Sequence, residues 1–192
     1  DYCYSAYPDI FEDMHQPMIL VKSDKKITVN IKNMGIWANS CYSGGIQIGN
    51  DNVLNLDSVR INGTDNKLGG GAIHADDNSV VNCKDCNLSG HFMTGYSRHG
   101  VVDVWLGKNV TCTMTNTKTS KIYVSAGTAT LTVDGSSEIS WWVILDYDAD
   151  GAATLYYTNG YISRILTIPD DDDEYVAEPA TGKYVGGHYY SA

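Results

Sequence analysis

Gly71-Ala72-Ile73-His74-Ala75, followed after the polar gap 76–79 by Val80-Val81-Asn82-Cys83, is the stretch that decides the fold. In each half, two apolar or small residues flank a single other one, so an extended chain aims two side chains one way and one the other. The same stretch stands 27 residues earlier. Gly44, Ile46, Val53, Asn55 and Gly63 recur without a gap as Gly71, Ile73, Val80, Asn82 and Gly90. Working outward, the second pair returns six times, as Ile27-Thr28-Val29, Leu54-Asn55-Leu56, Val81-Asn82-Cys83, Val110-Thr111-Cys112, Leu131-Thr132-Val133 and Ala153-Thr154-Leu155. The first pair returns as Ile19/Val21, Ile46/Ile48, Ile73/Ala75, Val102/Val104, Ile122/Val124 and Val143/Leu145. Second pairs start 27, 27, 29, 21 and 22 residues apart, the length of one solenoid coil.

No single coil can bury its own apolar side, so coils must stack and the ends need covering. Stacking predicts parallel sheets with Ile19, Ile46, Ile73, Val102, Ile122 and Val143 as an inward ladder. Thr28, Asn55, Asn82, Thr111, Thr132 and Thr154 become an outward one. Glycines such as Gly44, Gly63, Gly71 and Gly90 suit sharp corners between sheets, where positive φ is easiest without a Cβ.

The run Gly70-Gly71-Ala72-Ile73-His74-Ala75 with Val80-Val81-Asn82-Cys83 and Cys86 resembles coils of right-handed parallel β-helices of the pectin-lyase-like kind. It is most similar to the Gly-Gly-Ala-Ile coils of secreted and surface β-helix proteins, including the polymorphic outer-membrane type. The likeness is close over about two coils. It implies an all-β, single-domain right-handed parallel β-helix of about six coils and a surface setting, but no reaction.

The 192 residues suffice for one core. Residues 1–17, with Tyr2, Tyr4, Tyr7, Ile10, Phe11 and Met14, read as an N-terminal cap or docking segment, 18–168 as the coils, and 169–192 as an acidic and Tyr/Gly-rich tail. No apolar run approaches the roughly 18 residues of a membrane span. The chain opens at Asp1 with no basic-then-apolar leader, which suggests a processed, secreted or cell-surface form. Sequons at Asn62, Asn87 and Asn109 agree with that setting as glycosylation candidates. A net charge of −10 argues against nucleic acid and anionic membrane as partners.

Five cysteines leave at least one unpaired. Cys83 and Cys112 are expected to face each other on successive coils, as buried thiols or as a disulfide; a Cys3–Cys41 bridge is the preferred pairing. Cys83-Lys84-Asp85-Cys86 has the spacing of a redox or zinc half-site, with no second such motif to complete it. Asp146, Asp148 and Asp150 with Gly151 resemble the first half of an EF-hand loop and make calcium the candidate cofactor. Position twelve is Tyr157 where that loop needs a bidentate Glu; the other reading is a polar turn.

Three functions follow. The favoured one is a secreted, non-catalytic structural or adhesive protein that self-assembles into filaments or layers, with itself or an extracellular glycan as partner. A polysaccharide lyase or glycoside hydrolase would draw on the outward column Gln47, His74, Asp103, Tyr123, with His74 beside Asp103 and Arg98 and His99 nearby. An ice- or glycan-binding solenoid would use the regular threonines of 111–119 and 128–132.

Overall fold

The computed structural model describes residues 17–37, 45–62, 71–89, 102–125, 127–148, 151–157 and 159–169, with strand backbone also at 178–179, 182–185 and 188–191. Its elements are strands, and the long sheets are parallel. They form three rows. The first holds β1 (Ile19–Val21), β4 (Ile46–Ile48), β7 (Ile73–Ala75), β10 (Val104–Leu106), β12 (Lys118–Val124), β14 (Glu138–Asp148) and β17 (Tyr161–Pro169). The second holds β2 (Thr28–Lys32), β5 (Val53–Asp57), β8 (Val80–Lys84), β11 (Thr111–Thr115), β13 (Thr130–Asp134) and β16 (Thr154–Tyr157). The third runs from β3 (Gly35–Trp37) through β6 (Arg60–Asn62) and β9 (Asn87–Ser89) into the first residues of β12, β14 and β17. Short antiparallel pieces follow: β15 (Gly151–Ala152) on β14, β18 (Glu178–Pro179) on β17, and the hairpin β19 (Gly182–Val185) and β20 (His188–Ser191).

The pairing corrects the expected ladders by two residues in several places. In the first row Ile73 pairs with Val104, not Val102. In the second row the inward column is Val29, Leu54, Val81, Cys112, Leu131 and Leu155. The outward column beside it is Asn30, Asn55, Asn82, Thr113, Thr132 and Tyr156. Cys83 therefore sits beside Leu56 and Met114, and Cys112 beside Val81 and Leu131, so the two cysteines are not the facing pair that the repeat suggested.

The core lies between the rows. Ile46, Ile73, Val104, Ile122 and Val143 fill it from the first row, Leu54, Val81, Cys112, Leu131 and Leu155 from the second, and Ile36, Ile61, Leu88 and Ile139 from the third. Like side chains repeat along each column because successive parallel strands lie about 4.8 Å apart. The Asn column is bonded in the same way: Asn55 Nδ2 donates to Asn30 Oδ1 and Asn82 Nδ2 to Asn55 Oδ1, both at 2.8 Å.

Among the described residues, the corners beside second-row strands are turned mainly by short polar residues. Asn33, Ser58, Asp85 and Asn116 follow second-row strands with φ between 50° and 56°, and Gly135 continues the series at 66°. Asp51, Asn78 and Asn109 precede second-row strands with φ of 59° to 63°. Asn and Asp tolerate this left-handed region and bond their own turn. Gly71 has another reason to lack a side chain: a Cβ there would lie 2.0 Å from the Val102 carbonyl oxygen and 2.8 Å from that of Asp103. Gly44, Gly63 and Gly90 lie outside the described residues.

Third-row and first-row strands merge from β12 onward. Ile73 to Val104 takes 31 residues and Val104 to Ile122 takes 18, because Lys118-Thr119 of one row runs directly into Ile122–Val124 of the other. Gly71→Ala is expected to destabilise the fold by about 1–3 kcal/mol through overpacking against rigid backbone; chemical denaturation measures it.

Candidate functional site

The outer face of the first row carries the side chains on which a catalytic reading depends. Its central column is Leu20, Gln47, His74, Trp105, Tyr123, Ile144 and Leu166. Trp105 stands where Asp103 was expected. His74 stacks on Trp105 at 4.2 Å between ring centroids, and Trp105 on Tyr123 at 6.2 Å. His74 Nε2 lies 3.2 Å from Asp76 Oδ1, and the Asp76 carboxylate also accepts from Gln47 Nε2 at 3.3 Å. Both faces of Trp105 are thus taken by neighbouring rings, so the ladder offers its edges and not a flat platform.

Toward the later coils this face is not a solvent surface. Val102, Tyr123 and Ile144 are buried in a second apolar cluster with Trp105, Trp142 and Leu166 packed against it. Tyr123 donates its hydroxyl to the Asp146 carboxylate, and both residues are buried.

Asp103 is buried at the start of β10, where it organises the merging of the rows. One carboxylate oxygen accepts from Thr119 Oγ1 at 3.1 Å, Ser120 N at 2.6 Å, Lys121 N at 3.1 Å, and the Ser120 hydroxyl. Four donors on one oxygen hold the backbone of β12 where two rows become one. Burial pushes the Lys121 ammonium below its ordinary value and Asp103 opposes that shift. The ammonium lies 5.7 Å and 5.6 Å from the ring centroids of Trp141 and Trp142. These adjacent tryptophans stack at 4.7 Å because β14 carries an extra residue against both neighbours, a bulge between Ile139 and Trp142. Nothing in the sequence marked that bulge except the shortened repeat.

Of the four catalytic candidates, two lie among the described residues. His74 pairs with Asp76, Asp103 is committed to β12, and Arg98 and His99 lie outside the described residues. Of the EF-hand-like residues, Asp146 and Asp148 belong to β14, and Gly151 returns antiparallel against Asp148. Asp150 lies outside the described residues, among which no group of three His, Cys, Asp or Glu side chains gathers. Cys3 and Cys41 also lie outside them. Of the sequons, Asn62 Oδ1 accepts from Ser89 Oγ at 3.0 Å, Asn109 Nδ2 donates to Asn78 Oδ1 at 3.0 Å, and Asn87 is exposed on β9.

Two further features escaped the sequence reading. An open polar groove of about 270 Å³ follows the third row, lined by Asn87, Ser89, Lys118, Ser120, Glu138 and Ser140 among others, with Lys118 Nζ 3.1 Å from Glu138 Oε2. At the first coil, Met18, Leu20, Met34 and Trp37 are exposed, Met18 by 51% and Trp37 by 56%. Compared with known proteins, the chain matches no family model, no curated protein and no solved structure.

Replacing Asp103 with Ala leaves four β12 donors short of an acceptor, the hydroxyls of Thr119 and Ser120 and the amides of Ser120 and Lys121. A loss of about 1–3 kcal/mol for each buried donor left unsatisfied is expected, and less for Asp103→Asn, which keeps an acceptor oxygen. Urea denaturation of the two variants beside the parent protein checks both magnitudes.

Proposed function

We propose that the chain is a right-handed parallel β-helix of about six coils, acting as a non-catalytic structural and adhesive protein at the cell surface or outside the cell. It associates with further copies through its first coil. One observation carries the reading: four of the five large apolar side chains exposed among the described residues, Met18, Leu20, Met34 and Trp37, belong to that coil, and the fifth, Tyr161, lies on β17. β1, β2 and β3 are also the terminal strands of their rows, with no partner on the outer side among the described residues. Strand edges flanked by exposed apolar side chains are the standard template for adding another β-layer. The four hydrogen bonds that the Asp103 carboxylate accepts from β12 support a role without sugar cleavage.

The third-row groove favours a second reading, contact with an extracellular glycan. The Ser140 hydroxyl, the Asn87 amide and the Lys118–Glu138 pair offer donors and acceptors along the stack, as sugar hydroxyls require.

Light scattering across a concentration series tests the assembly. The intact protein should gain mass with concentration, and Leu20→Lys combined with Trp37→Lys should hold it as a monomer with an unchanged circular dichroism spectrum. A protein that stays monomeric throughout overturns self-association. Deleting residues 1–17 distinguishes the segment's two roles: soluble monomer if it docks on a neighbour, aggregation if it caps its own coil.

A further inference from the structure

We propose that Cys83 and Cys86 form a dithiol that closes to a disulfide across the corner following β8. Cys83 points inward near the end of β8, and Asp85, at a φ of 54°, turns the chain so that Cys86 is buried in the same core. Both belong to the same buried core, three residues apart around this corner, and the ionisation of each thiol is shifted by the other; the Cys86 thiol also donates to the Lys84 carbonyl at 3.2 Å. Both are free and buried, at 2% and 3% exposure. Disulfide formation then needs a side-chain rotation and no movement of a distant element.

The environment divides the roles. The hydrogen bond from Cys83, with one from the Val59 backbone, brings the Cys86 thiol down to about 7 against the opposing effect of burial. The same hydrogen bond and burial push Cys83 well above its ordinary value. Cys86 is the attacking thiolate near neutrality, and Cys83 keeps its proton until the second step. The exposed neighbours Lys84, Asp85 and Asn87 make this corner the route by which a small oxidant reaches the sulfur. Cys112, pushed to about 12 by burial and placed beside Val81 and Leu131, stays a thiol.

The oxidant is a small-molecule disulfide such as oxidised glutathione. Cys86 S⁻ attacks one of its sulfurs, forming a mixed disulfide and releasing one thiolate. Cys83 passes its proton to that thiolate, and its sulfur attacks Cys86 Sγ and expels the second thiolate, which takes a proton from water. The pair loses two electrons and the small molecule leaves as two thiols.

Trypsin supplies the test because Lys84 separates the two cysteines. The native protein is incubated with oxidised glutathione, its free thiols are alkylated in denaturant, and it is digested. Peptides 68–84 and 85–98 should appear joined, should separate on reduction, and should not join in Cys86→Ser. The initial rate should rise about tenfold per pH unit below pH 7 and level off above it, because thiolate is the reactive form. The proposal is overturned if the peptides of the native protein stay separate with both cysteines alkylated. Joining of either one to peptide 109–118, which carries Cys112, overturns it as well. The native readout stands by itself should the serine variant fail to fold.

Discussion

Parallel, in-register hydrogen bonding between successive coils is the constraint on which the rest of this structure depends. Each strand lies over the same strand of the coil before it, so a side chain's nearest neighbours are its own counterparts about 4.8 Å away. Apolar residues satisfy this inside, and asparagine satisfies it outside, where its amide donates to the coil before and accepts from the coil after. Charged residues must alternate in sign. In the last outward column of the second row Lys32, Asp57 and Lys84 stand in succession, with Lys32 Nζ 3.4 Å from Asp57 Oδ2.

Corners face the converse problem, since backbone groups that leave a row lose their partners there. Buried Asn52 resolves one: its Oδ1 accepts from Ile27 N at 3.0 Å while its Nδ2 donates to the carbonyls of Gly49 and Asn50. Buried Ser137 resolves another, accepting from Thr117 N at 3.1 Å and donating to the Asp134 carbonyl at 2.7 Å. These two buried polar residues are therefore corner pieces, and the strands on either side of them can remain largely apolar.

The same period-two geometry explains what could be read from the sequence and what could not. A slip of one residue would turn every side chain to the wrong face, so face assignment was legible from Ile46-Gln47-Ile48 or Leu131-Thr132-Val133. A slip of two keeps the faces and changes only the neighbours. Val110-Thr111-Cys112 fits the apolar alternation as well as Cys112-Thr113-Met114, yet only the second aligns with Val81-Asn82-Cys83. The rows were thus visible, whereas who stands beside His74 was not: Val102/Val104 and Val104/Leu106 are equally regular, and one places Asp103 next to it and the other Trp105. The contact between Cys83 and Cys86 was hidden for a different reason. It depends on a left-handed residue at Asp85, which no apolar period records.

The merging of two rows at β12 gives the stack a direction. Before it, residues 38–45, 63–72 and 90–103 separate each third-row strand from the next first-row strand; after it, β12, β14 and β17 each serve both rows without interruption. Continuous strands crowd the outer face: the β14 bulge turns Trp141 and Trp142 to Lys121, and Tyr123 and Ile144 become buried on what would otherwise be a solvent side. At the far end β18 pairs with β17, and β20 lies against β16. The first coil has only three-to-five-residue strands, exposed Leu20 and Trp37, and, among the described residues, terminal edges in all three rows. The two ends differ in kind, so association through the first coil would join unlike surfaces only if a partner offered an equally open edge. A second copy meeting it first coil to first coil supplies one by symmetry, and such contacts close on themselves. Growth into a filament needs the β16–β17 end to accept a neighbour too, against the strands that already lie there.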